Sequence, residues 1–159
     1  MKWTVSPIGV IRSPFQDVKG MPIQSSGARN VQGRVVVKEA YEEGLADIEG
    51  FSHILLIYIF HRSQGYQLKV KPFLDALPHG VFATRAPRRP NPVGLSVVEL
   101  LLREKNVLHI NGVDVLDNTP LLDIKPYAPA FDIGPVSSVG WLEGKEVEAS
   151  NTKADERFL

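Results

Sequence analysis

Short apolar segments separated by turn-forming residues run along most of the chain, and this pattern predicts a protein built mainly of β-strands. Residues 51–61 form the most apolar segment, and its continuity predicts a central strand that is buried on both faces. Residues 95–103 and 107–113 predict a hairpin that turns at residues 104–106. Further strands are predicted at residues 3–11, 34–38, 67–70, 81–84 and 121–124.

The 12 prolines and 13 glycines divide the chain into short elements, which favours a small β-barrel with short helical segments and long loops. Residues 39–49 contain good helix formers, but Gly44 limits this prediction to one or two helical turns. We assign residues 1–140 to the barrel domain. Residues 141–159 form a charged tail with few apolar side chains, which we expect to be peripheral or partly disordered.

Composition narrows the class of protein further. Lysine and arginine together number 18, as do aspartate and glutamate, so contact with a polyanion requires a local basic patch. The chain has no cysteine, which excludes disulfides and thiolate metal sites. Its longest apolar run has seven residues, far fewer than the ~20 of a membrane-spanning helix. We expect a soluble, cytoplasmic protein.

The sequence offers no motif for metal binding, nucleophilic catalysis or phosphate binding. His53 and His61 are eight residues apart, which on one strand separates them by roughly 26 Å, so we expect no metal site. The glycine-rich loops of dinucleotide-binding and P-loop proteins are absent as well. A nucleotide-like ligand therefore has to be held in another way.

Arginines and prolines alternate in residues 85–92, within the stretch Val-Phe-Ala-Thr-Arg-Ala-Pro-Arg-Arg-Pro-Asn-Pro-Val-Gly-Leu-Ser of residues 81–96. Because proline fixes φ and donates no backbone hydrogen bond, the segment predicts a rigid loop that presents arginines in set directions. Guanidinium groups suit carboxylates, phosphates and purine edges, which indicates a site for an anionic or nucleotide-like ligand. A solvated basic loop without function is the alternative.

A second polar segment covers residues 114–127 and contains three aspartates within ten positions. Asp117 is interpreted either as part of a turn that bonds its own backbone or as a group that binds ligand or takes a proton. For Asp123 we expect an ion pair with Lys125 or with an arginine. Tyr127 is either a core residue or a stacking platform for a base.

Together these segments resemble one known family. Residues 8–15 (Ile-Gly-Val-Ile-Arg-Ser-Pro-Phe), Phe51-Ser52-His53, the stretch 81–96 and the segment 114–127 occur in the order found in the TsaA-like (YaeB-like) family. Its characterised members are tRNA methyltransferases that use S-adenosylmethionine to methylate N6 of threonylcarbamoyladenosine beside the anticodon. The similarity covers most of residues 3–135.

The resemblance implies a small β-barrel that acts as a homodimer, with S-adenosylmethionine bound near the subunit interface. It implies four candidates for the reaction itself, which are Arg85, Asn91, Asp117 and Tyr127. It also implies cofactor contacts from Gln24, Ser25, Ser26, His61, Arg62, Arg85, Leu95, Val113, Asp114, Val115 and Leu116. Under this hypothesis Asp117 accepts the acceptor's proton and Arg85 binds a carboxylate.

Arg88 and Arg89 are the candidates for steering the anticodon stem–loop of tRNA through its phosphates. Two alternatives explain neighbouring residues structurally: Arg89 pairs with Asp123 or Asp117, and Asn91 only shapes the Asn-Pro turn. The family's first loop usually has Pro-Arg-Gln where this chain has Pro22-Ile23-Gln24. Bacterial members also have an additional C-terminal domain where this chain has a short tail, so we expect substrate recognition to be reduced or located elsewhere.

Three functions follow as hypotheses. The first is the tRNA methyltransferase, the second is a methyltransferase of the same fold with another acceptor, and the third is a non-catalytic barrel that binds S-adenosylmethionine or RNA.

Overall fold

The computed structural model describes residues 2–132 and 134–158. Six of its strands form a closed barrel in the order β1-β2-β7-β6-β3-β8, with every neighbouring pair antiparallel, and β4 and β5 form a separate two-stranded sheet. The strands are β1 (Gly9–Arg12), β2 (Gln32–Val37), β3 (His53–Ile59), β4 (Lys69–Val70), β5 (His79–Gly80), β6 (Val93–Glu104), β7 (Val107–Asn111) and β8 (Thr119–Pro126).

The helical segments are short, as the sequence predicted. One α-helix, α1, spans Glu146–Asn151, and 3-10 turns span Ser25–Gly27, Glu39–Leu45, Ile48–Gly50, Val81–Ala83 and Gly140–Leu142. No helix among the described residues has the length and apolar content needed to cross a membrane.

The core fills the inside of the barrel because alternate residues of each strand point inward. Ile54 and Leu56 of β3, Val98 of β6 and Ile110 of β7 are at most 2% exposed. The β6–β7 hairpin was predicted correctly, and it turns at Lys105-Asn106, where Lys105 has a φ of 55°.

Three strand predictions need correction. The first strand begins at Gly9 rather than residue 3, because its register with β2 and β8 begins only at Gly9. Val81–Ala83 form a 3-10 turn that Thr84 caps, instead of a strand over residues 81–84, since the Thr84 hydroxyl donates to the Val81 carbonyl at 2.8 Å and competes with sheet pairing. β3 is not buried on both faces, because its outward residues Leu55, Ile57 and Ile59 are only half-buried in the single chain.

The charged tail packs on the barrel's loops instead of standing away from them. Phe158 is 7% exposed in a second apolar cluster with Val70, Val81 and Ala86. The backbone of Ala154 exchanges hydrogen bonds with Gly20 and Met21 at 2.8 and 2.7 Å. The division of the chain at residue 140 stays a prediction.

Candidate functional site

A cleft with a volume of about 890 Å³ opens at one end of the barrel. Small-molecule sites typically have volumes of ~300–1,000 Å³. Its walls come from six separate stretches of the chain, within residues 18–26, 58–63, 72–74, 82–95, 114–119 and 141–158.

A chain of hydrogen bonds holds an acid that lines this cleft, Asp114. The Ser96 hydroxyl donates to Oδ1 of Asp114 at 2.6 Å, and the Tyr58 hydroxyl lies 3.0 Å from the Ser96 hydroxyl. Tyr58 and Ser96 are 4% and 3% exposed, so this series of hydrogen bonds leads from the core to the cleft. Gly94 is essential here, because a Cβ atom at this position would lie 2.2 Å from Cε2 of Tyr58.

Burial has the largest effect on the pKa values of the two acidic groups in this hydrogen-bonded series, Asp114 and Tyr58. At Asp114 it opposes the hydrogen bonds. It raises the pKa of Asp114 to about 6, although the Ser96 hydrogen bond and the nearby Arg85 guanidinium act in the opposite direction. Burial also raises the pKa of Tyr58, and the charge of Asp114 adds to this effect. Asp114 therefore changes its charge near physiological pH, whereas Tyr58 stays neutral.

The other charges on the cleft wall are positive. Arg62, Arg85 and Arg89 line it, and Asp114 is the only acid among the described lining residues. The guanidinium of Arg85 makes no hydrogen bond or ion pair with a described residue and is exposed. It is therefore available to an anionic group in the cleft.

His61 lies on the same wall. Burial and the neighbouring Arg62 charge lower the pKa of its imidazole, which keeps the ring neutral at physiological pH.

The carboxylate of the second candidate acid, Asp117, is already bound by other groups of the protein. Its side chain is 8% exposed and pairs with the Arg12 guanidinium at 2.9 Å. The backbone N–H of Ser13 donates to its Oδ1 at 3.1 Å, and the Asn118 amide donates to its Oδ2 at 3.1 Å. Burial alone would raise the pKa of Asp117, but the donors from Ser13 and Gln16 together with the Arg12 charge lower it below its usual value.

A family model described as the tRNA-methyltransferase O N-terminal domain matches residues 10–133 of this chain. The chain belongs to this family. The match confirms the resemblance that the sequence motifs indicated.

Several known proteins are similar to this chain in sequence or in fold. A probable S-adenosyl-L-methionine-binding protein of Pyrococcus abyssi is 53% identical over 96% of this chain and 83% of its own. A mouse protein named tRNA (adenine(37)-N6)-methyltransferase is 36% identical, over 79% of this chain and 31% of its own. The crystal structure of TrmO from Pseudomonas aeruginosa aligns with a TM-score of 0.74 at 38% identity, over 89% of this chain. This chain spans 63% of that solved chain.

The cleft brings together most of the residues that the family resemblance suggested for cofactor binding. All of them line it except Val113, which is 1% exposed and belongs to the barrel core. Of the four suggested for the reaction, Arg85 lines the cleft, while Asn91, Asp117 and Tyr127 lie outside it. Tyr127 directly follows β8 and lies beside the first residue of β3, where its N–H donates to the His53 carbonyl at 3.1 Å.

Of the two arginines suggested for tRNA contact, Arg89 lines the cleft and Arg88 does not. Arg89 donates to the backbone carbonyls of Thr84 and Ala86 at 3.1 and 3.4 Å, which stiffens its own loop. Its predicted pairing with Asp117 or Asp123 is wrong. Asp123 is half-exposed and pairs with Lys125 at 2.8 Å, as expected.

Among the cleft residues that the sequence did not indicate are Tyr58 and part of the tail. Tyr58 sits in the most apolar segment of the chain and gave no polar signal of its own. The tail contributes Trp141, Leu142 and Phe158, which no motif indicated. Among residues 2–132 and 134–158 there is no cluster of three or more His, Cys, Asp or Glu that could hold a metal ion.

Proposed function

We propose that this chain is an S-adenosylmethionine-dependent methyltransferase that methylates N6 of threonylcarbamoyladenosine beside the anticodon of tRNA. The observation that carries the proposal is the cleft at the barrel end, where a partly buried acid on a hydrogen-bonded chain shares one wall with an unpaired arginine. Family membership and the names of the relatives support it. A cytoplasmic location belongs to the same proposal.

The residues of the cleft fit S-adenosylmethionine. The cofactor has an α-carboxylate, and the Arg85 guanidinium offers donors for it without losing another partner. Its ammonium and ribose hydroxyl groups need acceptors, which residues 114–116 and the loop at Gln24–Ser26 can provide through their backbone. The volume of about 890 Å³ leaves room for an acceptor base beside it.

The protein contributes positioning and a proton acceptor to this reaction, and no nucleophile of its own is needed. When bound, the cofactor supplies an electrophilic methyl group on a sulfonium. Holding the acceptor nitrogen in line with that group can lower the barrier by ~7–11 kcal/mol. As the N–CH₃ bond forms and the C–S bond breaks, its electron pair stays on sulfur and the acceptor nitrogen loses its proton.

We assign that proton to Asp114 rather than to Asp117. Asp114 lines the cleft and is held by a single side-chain donor, Ser96, whereas Asp117 is occupied by Arg12 and the donors around it. Ser96 and Tyr58 then act as positioning residues. Roles of Asn91 and Tyr127 in the reaction stay predictions.

A homodimer is part of the proposal, and the outer face of the barrel supports it. Leu55, Ile57 and Ile59 of β3 stand opposite Val97, Leu95 and Val93 of β6, which makes six apolar side chains on a face that is normally polar. Leu95 is 45% exposed and also lines the cleft, so this face continues into the cleft. A second copy seated there would cover the apolar face and bring its own residues near the site.

The test begins with calorimetric titration of the purified protein with S-adenosylmethionine. We expect binding that Arg85→Ala weakens at least about tenfold and that Arg34→Ala, an exposed arginine outside the cleft, leaves unchanged. Transfer of a labelled methyl group is then measured with tRNA that carries threonylcarbamoyladenosine and with tRNA that lacks it.

Transfer to the modified tRNA alone is the expected result. Binding of the cofactor without transfer to either tRNA would contradict the proposed reaction and favour the binding barrel. Transfer to small molecules but not to tRNA would favour the second hypothesis, a methyltransferase with another acceptor.

A further inference from the structure

An aromatic side chain stands exposed at the rim of the cleft, and none of the roles described so far uses it. Phe82 lines the cleft yet is 74% exposed. The polar floor at Asp114 and Tyr58 is much more enclosed, so the ring belongs to the entrance. A large apolar side chain left in water at a site entrance needs an explanation in terms of what covers it.

The backbone that carries Phe82 is unusually well fixed. Its neighbour Val81 is 1% exposed in the second apolar cluster. Thr84 closes the turn with hydrogen bonds from its N–H and its hydroxyl to the Val81 carbonyl, at 3.1 and 2.8 Å. Trp141 Nε1 donates to the Ala83 carbonyl at 2.7 Å, and Arg89 donates to the Thr84 carbonyl at 3.1 Å.

Rigidity of this kind has a consequence for binding. A ring on a fixed turn loses little conformational entropy when a partner covers it, so more of the contact energy is available for affinity. Phe82 is therefore a pre-organised contact.

The charges around the ring identify the kind of partner. Arg85 lies three residues further along the same loop and is exposed, and Arg62 and Arg89 line the same cleft. An exposed aromatic ring on a wall whose charges are mostly positive suits an unstacked nucleic-acid base whose phosphates lie nearby. An apolar protein surface would take these positive charges out of water without offering anionic groups to them.

We propose that Phe82 is the stacking platform for an unpaired base of the RNA substrate at the entrance of the cleft. This inference rests on the proposed function and adds a named contact for its RNA. It also gives the tail a role in RNA binding, because the hydrogen bond from Trp141 helps to fix the turn.

The experiment measures binding of an anticodon stem–loop RNA with 2-aminopurine next to the acceptor adenosine, whose fluorescence is quenched by stacking. Wild type, Phe82→Ala, Phe82→Trp and Leu77→Ala are compared in the full chain. Leu77 is the matched control, since it is 66% exposed and lies outside the cleft. Cofactor affinity and oligomeric state are measured for each variant.

We expect Phe82→Ala to raise the Kd for the RNA about tenfold and to abolish most of the quenching. Phe82→Trp should restore both, Leu77→Ala should change neither, and cofactor affinity should stay within about twofold in all variants. Unchanged RNA affinity in Phe82→Ala would overturn the inference. An equal loss of cofactor affinity would assign the ring to the cofactor, and a shift in oligomeric state would assign it to a protein interface, and either result overturns it too.

Methyl transfer by the wild type separates this inference from the proposed reaction. RNA binding that depends on Phe82, without methyl transfer, would contradict the reaction and leave the stacking contact supported. Methyl transfer that is unchanged in Phe82→Ala would support the reaction and contradict the stacking contact.

Discussion

Asp114 and Asp117 lie three residues apart on the segment between β7 and β8, and their surroundings differ completely. Asp114 is held by one side-chain donor, Ser96, and burial raises its pKa to about 6. Asp117 is 8% exposed, but the donors around it and the charge of Arg12 lower its pKa. Burial outweighs the donors and the Arg85 charge at Asp114, whereas the donors and the Arg12 charge outweigh burial at Asp117. This balance, rather than position in the motif, determines which carboxylate can exchange a proton.

The largest effect is expected for Asp114→Asn. This change keeps the shape of the side chain and removes its basicity, so turnover should fall about 100-fold or more while cofactor affinity stays within about threefold. In the wild type, the rate should rise with pH through about 6 as Asp114 ionises, next to the positive Arg85 and the neutral Tyr58. Single-turnover rates between pH 5 and pH 8 measure this, and a loss of cofactor binding without a loss of rate would contradict the assignment.

A smaller effect, on stability rather than on turnover, is expected for Asp117→Ala. Removing this carboxylate leaves the Ser13 N–H and the Asn118 amide without their acceptor, which should lower the free energy of unfolding by about 1–3 kcal/mol. Because the pKa of Asp117 is lowered by folding, its stabilisation is present above the unfolded pKa of about 3.9 and is lost as the pH falls through the folded value.

Urea unfolding at pH 7 and at pH 3 checks this prediction. The difference between wild type and Asp117→Ala should shrink at the lower pH, and turnover at pH 7 should stay within about threefold. A large loss of turnover in a protein of unchanged stability would give Asp117 the catalytic role instead.

The smallest effect is expected for Ser96→Ala, which removes the side-chain donor of Asp114. The Ser96 hydrogen bond lowers the pKa of Asp114, so its loss should move the acid limb of the rate profile to higher pH. Turnover at pH 8 should fall about tenfold at most, since the carboxylate remains. A profile identical to that of the wild type would show that Asp114 does not control the limb.

The sequence predicted the barrel and its family because both depend on local signals. Alternating strands, the hairpin at Lys105 and the Arg-Pro loop are short-range patterns that tertiary packing did not override. The motif around Arg85 and residues 114–116 also identified one wall of the cleft.

The rest depends on contacts between distant residues. Phe158 is one of few apolar residues in a charged tail, and its partners Val70 and Val81 lie more than seventy residues away in the chain. Tyr58 looked like a core residue, because only its register opposite Gly94 brings its hydroxyl to Ser96. Asp117 looked catalytic in the motif, and only the fold brings Arg12 and Ser13 against it.

The docked tail has a consequence for the dynamics of the protein. Trp141, Leu142 and Phe158 form part of the cleft wall, so any opening that releases the tail also dismantles the binding site. A ligand that needs this wall binds only the docked state and shifts the equilibrium toward it. Hydrogen exchange at the amides of Ala149 and Thr152, which close the short helix α1 outside the cleft, therefore reports whether the cleft is occupied.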